Sequence, residues 1–315
     1  MTLPAWLRSP LPDVAVAIDR GHVSAARVEW RGGRPTVAAH AIEALPPGAV
    51  TPALATANMP DVGAVGQVVA RVLGEVGRRA SRVALVVPDP VAKVSLVRLE
   101  TVPARAADLR EIIRWQVRKS APFPVEQAAL SICEGMTPAD GGREFVVTLA
   151  REDVVRQYEQ ACAMAGAHAG LVDVATFGLL NSVLTGGVPE GDWLLVHVAE
   201  SYLTLAVARS AHLIFYRHRS EESEGTLADL IHQTAMYYED RLQGRGLARV
   251  WLAGAGSLAN GDEVRQEIEG RLGVSVEPVG SRHGAALAAS FDGNAASADR
   301  LAPLVGILRR QEEAA

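Results

Sequence analysis

The most chemically suggestive stretch lies near the start of the chain, where an apolar strand runs into Asp19. Gly21 follows two residues later, small residues come next, and a second strand begins. An aspartate and a glycine after a strand can cradle a nucleotide phosphate, because backbone N–H groups and a metal-holding carboxylate suit its oxygens. The same residues also suit a tight hairpin. This stretch alone leaves both interpretations open.

Composition excludes several classes of protein. The chain has 315 residues, is 49% hydrophobic and 21% charged, and has a net charge of -5, which gives a nucleic-acid partner no electrostatic support. Cys133 and Cys162 stand in no metal-ligand spacing and are expected to be buried thiols in a reducing compartment. No apolar run is long enough to span a bilayer, and the first residues do not match a signal peptide. We therefore expect a cytoplasmic protein.

Two segments of the chain look alike, and the first of them contains Asp19 and Gly21. Residues 13–45 and 192–220 each predict a three-stranded meander with short turns. Each meander is followed by an amphipathic helix and then by a further strand, "RVALVVP" in the first case and "RVWLAGAG" in the second. The repeated order of elements indicates two related α/β halves that face a cleft.

Additional material between the repeats predicts a small α+β unit of order β-α-β-β-α. Its first helix, about Ala104 to Lys119, begins after a proline and ends before "SAPFP", as helix-boundary rules require. The predicted fold class is α/β, two related halves with this subdomain inserted. The predicted divisions are residues 13–88 for the first part of the first half, 89–165 for the inserted subdomain, 166–190 for the return to the first half and the connection, 191–310 for the second half, and 1–12 and 311–315 for flexible ends.

These features together resemble a known fold. The duplicated meanders, the "LAGAGS" before a helix and the inserted unit with "KSAPFPVEQA" resemble the actin-like ATPases, whose halves are ribonuclease-H-like. More narrowly, the chain resembles the PilM family of type IV pilus assembly proteins over about Asp13 to Arg310. The order of the inserted unit also resembles FtsA and the cytoplasmic part of GspL, but the Pro-Phe-Pro element and the short ending favour PilM.

The resemblance implies ATP with Mg²⁺ as a cofactor between the halves. One phosphate loop would follow the first strand of each half, and an adenosine loop would lie near the end of the second half. Asp19 would also hold the Mg²⁺. The residues implied to bind the cofactor are Asp19, Gly21, Ser24, Ser201, Thr204, Gly254, Gly256 and Ser257.

The chain departs from the family pattern where chemistry would occur. The first loop reads "DRGHVSAA", with Ala26 where the family has a lysine. In the second loop, "HVAES", His197 stands for the family's aspartate and Ala199 for its glycine. A histidine is a poor ligand for the hard Mg²⁺ ion, and a Cβ hinders a close approach of the backbone to phosphate. We therefore expect a pseudo-ATPase with no assigned catalytic residue. His22 and His197 could face each other as Zn²⁺ ligands, but without a third ligand polar side chains remain the favoured interpretation.

The resemblance further implies a role in assembly. The family binds the cytoplasmic N-terminal peptide of a PilN-like inner-membrane protein in a groove between the first half and the inserted unit. The predicted walls are the helix Ala104–Lys119 and the strand Lys93–Glu100. The chain would then be a cytoplasmic scaffold, brought to the inner membrane by its partners, among them other pilus assembly components. The alternatives are an active actin-like ATPase and a self-associating, FtsA-like filament protein.

Overall fold

The structure, a computed structural model, describes residues 12–32, 34–77, 81–138, 141–220, 226–280, 285–287 and 294–309. The ends predicted to be flexible, residues 1–12 and 311–315, lie outside this set apart from Pro12. No helix among the described residues is long and apolar enough to cross a membrane.

The first half is built on a six-stranded sheet. Its first three strands form the predicted antiparallel meander, and the two strands that follow run parallel to the first one. The apolar run before Asp19 forms the central strand, whose residues are almost all buried, as expected of a strand with helices on both faces. The strands are β1 (Val14–Ile18), β2 (His22–Arg31), β3 (Arg34–Ala44), β4 (Arg82–Val87) and, later in the chain, β8 (His168–Val174).

The second half repeats this plan in a five-stranded sheet of order β11-β10-β9-β12-β13. Its long helix begins at a capping box, in which Thr226 and Asp229 each accept a hydrogen bond from the other's backbone N–H. The strands are β9 (Asp192–Val198), β10 (Tyr202–Arg209), β11 (His212–Ser220), β12 (Arg249–Ala253) and β13 (Val276–Pro278), and the helices are α5 (Leu227–Leu242) and α6 (Gly261–Leu272).

The first hairpins of the two halves have the same geometry. In the first, Ile18 pairs with Val23, and the N–H of Asp19 donates to the carbonyl of His22 at 3.0 Å. In the second, Val198 pairs with Leu203, and the N–H of Ala199 donates to the carbonyl of Tyr202 at 2.9 Å. The strands that follow the helices, β4 and β12, both lie parallel to the first strand of their half. The predicted α/β fold with duplicated halves is therefore confirmed.

The inserted unit is a three-stranded antiparallel sheet of order β5-β7-β6. One face of this sheet is covered by α2 (Ala106–Val117), which buries Ile113 and Val117 against it. The strands are β5 (Ala92–Leu99), β6 (Ala128–Glu134) and β7 (Arg143–Arg151). The predicted helix is thus present, shorter by two residues at each end.

The last predicted helix of the inserted unit packs elsewhere. Helix α3 (Glu152–Met164) buries Val154 and Tyr158 in the first half, in the same hydrophobic cluster as α1 (Val62–Glu75). A glycine on α1, Gly66, allows the close approach, because a Cβ there would overlap the side chain of Met164. The inserted unit therefore ends at Arg151, because the apolar stripe of α3 completes the larger core.

Two helices separate the two large sheets. Helix α4 (Ala175–Thr185) and the final helix α7 (Ala295–Arg309) cross so closely that a Cβ on Gly178 or Gly306 would overlap the backbone of the other helix. Most buried residues of α7 lie against the first sheet, although the sequence places this helix in the second half. The short strand β14 (Ala286–Leu287) also pairs with β3 of the first sheet. The end of the chain therefore ties the two halves together.

Candidate functional site

The predicted first phosphate loop lies at the floor of the cleft between the halves. Asp19 follows β1, and its Oδ1 accepts a hydrogen bond from the N–H of Arg20 at 2.7 Å. Burial raises the pKa of Asp19, and this outweighs the opposing effects of the Arg20 hydrogen bond and of nearby His197. A carboxyl group that burial holds toward its neutral form is a weak ligand for Mg²⁺, which binds the charged form.

The second predicted phosphate loop has a different register from the one expected. Because the hairpins superimpose residue for residue, the counterpart of Asp19 is Ala199 and that of Gly21 is Ser201. His197 lies two residues earlier, inside β9, and its counterpart is Ala17. The second hairpin therefore carries no carboxylate at the position of Asp19, and His197 does not stand in for one. The residue at the position of Asp19 is Ala199.

A side chain from the second hairpin fills the space in front of the first. A Cβ on Gly21 would overlap the carboxylate of Glu200, so Glu200 lies directly against the glycine that the sequence assigns to phosphate binding. Oε1 of Glu200 is 3.8 Å from the guanidinium of Arg300 and 3.9 Å from Nδ1 of His22. A carboxylate of the protein itself therefore lies against the predicted first phosphate loop, and a carboxylate repels phosphate oxygens.

The predicted adenosine loop closes the other side of the cleft. Gly254 has a φ of +86°, and a Cβ there would overlap the carbonyl of Val198. Only glycine therefore fits the backbone at this position. The N–H of Gly256 donates to Asp299 on α7 at 2.7 Å, and Ser257 lines the cleft. Burial raises the pKa of Asp299 to about 6. At least one backbone N–H group of the predicted adenosine loop, that of Gly256, therefore donates to the protein itself.

Three hydroxyl-bearing residues assigned to the cofactor do not line the cleft. Ser24 and Thr204 occupy equivalent positions in β2 and β10, and both are completely buried. The hydroxyl of Thr204 donates to Asp89 at 2.6 Å rather than to a ligand. Ser201 lies in the hairpin turn, outside the lining of the cleft. Ser24 and Thr204 therefore do not reach the cleft, because their strands turn these two side chains into the core.

Asp89, which the sequence left unassigned, is the most strongly hydrogen-bonded acid of the cleft region. It follows β4, is fully buried, and accepts bonds from the amide of Thr176 at 3.0 Å and from the hydroxyls of Thr176 and Thr204. Nδ1 of His197 lies 3.4 Å away. Burial favours the neutral acid, but the hydrogen bonds from His197 and both threonines prevail and lower the pKa of Asp89. These partners come from α4, β9 and β10, so the network joins the two halves.

The cleft is narrower than a typical ligand pocket. Its cavity measures about 80 Å³, against roughly 300–1,000 Å³ for typical ligand pockets. His22 and His197 both line the cavity. His197 contacts Asp89 and Thr176. Burial, with a smaller effect from nearby Arg300, lowers the pKa of His22 to about 4. No group of three His, Cys, Asp or Glu residues suited to a metal ion occurs in the described part of the chain.

A much larger groove lies between the inserted unit and both halves, with a volume of about 450 Å³. Its lining contains apolar residues, two carboxylates and no lysine or arginine. The inserted sheet supplies one wall, the ends of β4 and β8 and the side of α4 supply the second, and the β10–β11 turn supplies the third. Residues that line it include Ala129, Ser131, Cys133, Glu134, Val146, Thr148, Leu171, Asp173, Phe177, Leu180, Trp193, His212 and Leu213.

The walls of this groove differ from those predicted. Helix α2, within the predicted wall Ala104–Lys119, covers the opposite face of the inserted sheet. Strand β5 touches the groove only at Ala92, while Val94 and Leu96 pack against the second half. Strands β6 and β7 form the wall instead. Hydrophobic alternation marked these strands in the sequence, but nothing there indicated which face α2 would cover.

Comparison with known proteins connects this geometry to a family. A family model described as type IV pilus assembly protein PilM matches residues 16–240. A solved structure described as a PilM-PilN type IV pilus biogenesis complex superimposes with a TM-score of 0.80 at 17% identity, covering 95% of this chain and 98% of that chain.

Two further structures share the fold at a greater distance. One is a Bacteroides thetaiotaomicron protein with an actin-like ATPase fold, with a TM-score of 0.53 at 8% identity, covering 98% of this chain and 99% of that one. The other is the ethanolamine utilization protein EutJ from Carboxydothermus hydrogenoformans, with a TM-score of 0.51 at 12% identity, covering 96% and 90%. The fold is therefore that of the actin-like ATPases.

Proposed function

The chain belongs to the PilM family of type IV pilus assembly proteins, and from this premise we propose that it is a cytoplasmic scaffold of a pilus inner-membrane complex. Its ligand would be the cytoplasmic N-terminal peptide of a PilN-like membrane protein, which would bring the chain to the inner membrane. The observation that carries the proposal is the 450 Å³ groove beside the inserted sheet, since its size suits several side chains of a bound peptide.

The backbone of the groove walls supports an extended ligand. Among the described strands, β6 pairs only with β7 and β8 pairs only with β4, so each is an edge strand of its sheet. Edge strands present unpaired N–H and C=O groups, and a peptide can add to them as a further strand. Backbone pairing would give affinity, while the apolar lining would select alternate side chains.

The lining of the groove favours a particular peptide chemistry. Phe177, Leu180 and Leu213 provide an apolar surface. Of the carboxylates in the lining, Glu134 is already paired with Arg143 at 3.0 Å. A peptide with apolar residues at alternate positions would complement this surface.

Peptide binding tests the proposal directly. Fluorescent N-terminal peptides of membrane proteins encoded beside this chain would be titrated against the wild type, Ala129→Arg and Ala163→Arg. Both alanines are exposed, but only Ala129 lines the groove, and Ala163 lies on α3. We expect saturable binding by the wild type and Ala163→Arg, and at least tenfold weaker binding by Ala129→Arg. Absence of binding by the wild type to every such peptide would reject the proposal.

The proposed function requires no ATP hydrolysis. Glu200 against Gly21, the raised pKa of Asp19 and the 80 Å³ cleft all disfavour ATP with Mg²⁺. Calorimetric titration with Mg·ATP is expected to show no heat of binding at millimolar concentrations, and phosphate release is expected to stay at background. Micromolar binding with steady phosphate release would instead support the alternative of an active ATPase.

A further inference from the structure

The exposed side of α2 combines the two kinds of side chain that favour a lipid surface. Trp115 is 71% exposed, more than any other large hydrophobic residue among those described, and Ile112, one helical turn away, is 39% exposed. Both project away from Ile113 and Val117, which face the inserted sheet. Most of Trp115 and more than a third of Ile112 are thus open to solvent, so α2 is not simply a core helix.

Cations outnumber acids along this helix and at its end. From Arg105 to Lys119 the chain has five basic residues and two acidic ones, Asp108 and Glu111, and Glu111 is exposed one turn before Trp115. Arg118 and Lys119 are exposed and make no ion pair among the described residues. This segment is thus locally positive on a chain whose net charge is -5. It is complementary to an anionic surface and not to the rest of its own molecule.

We propose that the end of α2, from Ile112 to Lys119, is a peripheral contact for anionic phospholipid. The indole of Trp115 would lie at the level of the headgroups, where an aromatic ring with one polar N–H is favoured. The exposed cations Arg118 and Lys119 would approach acidic headgroups, which attract juxtamembrane basic residues. Two apolar side chains are too few for a protein interface of roughly 1,000 Å² or more, but they suffice for shallow insertion helped by charge.

This surface is separate from the peptide groove and does not rest on the proposed function. Helix α2 covers one face of the inserted sheet, and the groove lies on the other face. A lipid contact here would add a second, weak contact to any membrane-bound partner, and two linked contacts together bind more tightly than either alone. Vesicle binding of the isolated chain therefore tests it without any peptide.

The test is co-sedimentation of the full chain with phosphatidylcholine vesicles, with and without 30% phosphatidylglycerol. The variants are Trp115→Ala and the double change Arg118→Glu with Lys119→Glu. The matched controls are Trp30→Ala, whose indole is 57% exposed on the first half, and Arg241→Glu with Arg245→Glu on the second half. All altered side chains are exposed, and equal thermal unfolding temperatures would verify that each variant folds.

We expect the wild type and both controls to bind the acidic vesicles, and to bind them less at 0.5 M salt. Each α2 variant should bind about tenfold or more weakly. Three results would overturn the proposal: no preference of the wild type for acidic vesicles, equal losses in the controls, or a concentration-dependent dimer that Trp115→Ala abolishes without any vesicle binding. The last result would make the patch an interface between copies of the chain.

Discussion

Nδ1 of His197 lies 3.4 Å from Oδ2 of Asp89, so a strand of the second half contacts the turn that follows β4 of the first. The sequence analysis assigned His197 to a second phosphate loop that departs from the family pattern. Its contact with a buried carboxylate, supported by Thr176 and Thr204, shows that it belongs to a network between the halves. These polar contacts join α4, β9 and β10 to the turn after β4 and so link the two halves.

Removing Asp89 should destabilise the protein strongly. Asp89→Ala leaves His197 and two threonine hydroxyls buried without their acceptor, and each unsatisfied group costs about 1–3 kcal/mol. We expect the free energy of unfolding to fall by about 3 kcal/mol or more in urea titrations, with an unchanged m value. Asp240→Ala, at an exposed position of α5, is the control and should change it little. A loss below about 1 kcal/mol would mean that the network is not important for stability.

The crossing of α4 and α7 makes a second prediction about stability. Gly306→Ala places a methyl group against the backbone carbonyl of Gly178, which cannot move aside, and against Oγ of Ser182. Overpacking of this kind typically costs about 1–3 kcal/mol or more. Gly270→Ala on α6 meets nothing within 4 Å and should stabilise the chain, since alanine is the better helix former. Thermal unfolding of both variants should therefore show shifts of opposite sign; shifts of the same sign would contradict the close crossing.

His22 should make the protein sensitive to acid. Burial, aided by Arg300, lowers the pKa of His22 from 6.5 to about 4. Between these values the unfolded chain binds the proton and the folded chain does not, so stability falls as the pH decreases from 6.5 to 4. The loss is about 3 kcal/mol, at 1.36 kcal/mol per pKa unit. His22→Gln should lose correspondingly less stability over this window; parallel curves for both proteins would show that His22 is not responsible.

Asp299 should act in the opposite direction. Burial raises its pKa from 3.8 to about 6, so the folded chain binds the proton more readily than the unfolded chain. Its contribution to stability is present below pH 3.8 and is lost as the pH rises through 6. Asp299→Asn should therefore remove a decline in unfolding temperature between pH 4 and 6. An unchanged pH profile in this variant would contradict the assigned burial of the carboxyl group.

Much of the fold could be predicted because it rests on local patterns. The second meander was expected at 193–198, 202–209 and 211–218, and the observed strands begin and end within two residues of these limits. Apolar periodicity and turn residues determine such elements directly. The duplication followed from the repeated order, and the hairpin registers then revealed that Ala199, not His197, is the counterpart of Asp19.

The features that the sequence did not predict depend on contacts between residues far apart in the chain. Asp89 meets Thr176, His197 and Thr204 from three other elements, and no spacing in the sequence relates them. The only indication in the sequence was that Asp89 stands between two prolines directly after a buried strand. The position of α7 was also missed, because an amphipathic helix shows that it has a buried face but not which sheet it covers.

The central claim is that the groove beside β6 holds a peptide, and the reactivity of Cys133 measures it most directly. Of the two cysteines, Cys133 was expected to be buried but is exposed in the groove wall. Cys162 is buried as expected, and burial raises its pKa to about 12. Alkylation of the native protein should therefore modify Cys133 alone. A saturating N-terminal peptide of a PilN-like partner should slow that reaction at least tenfold, whereas a scrambled peptide should not. Peptide binding that leaves the alkylation rate of Cys133 unchanged would contradict the assignment of the groove.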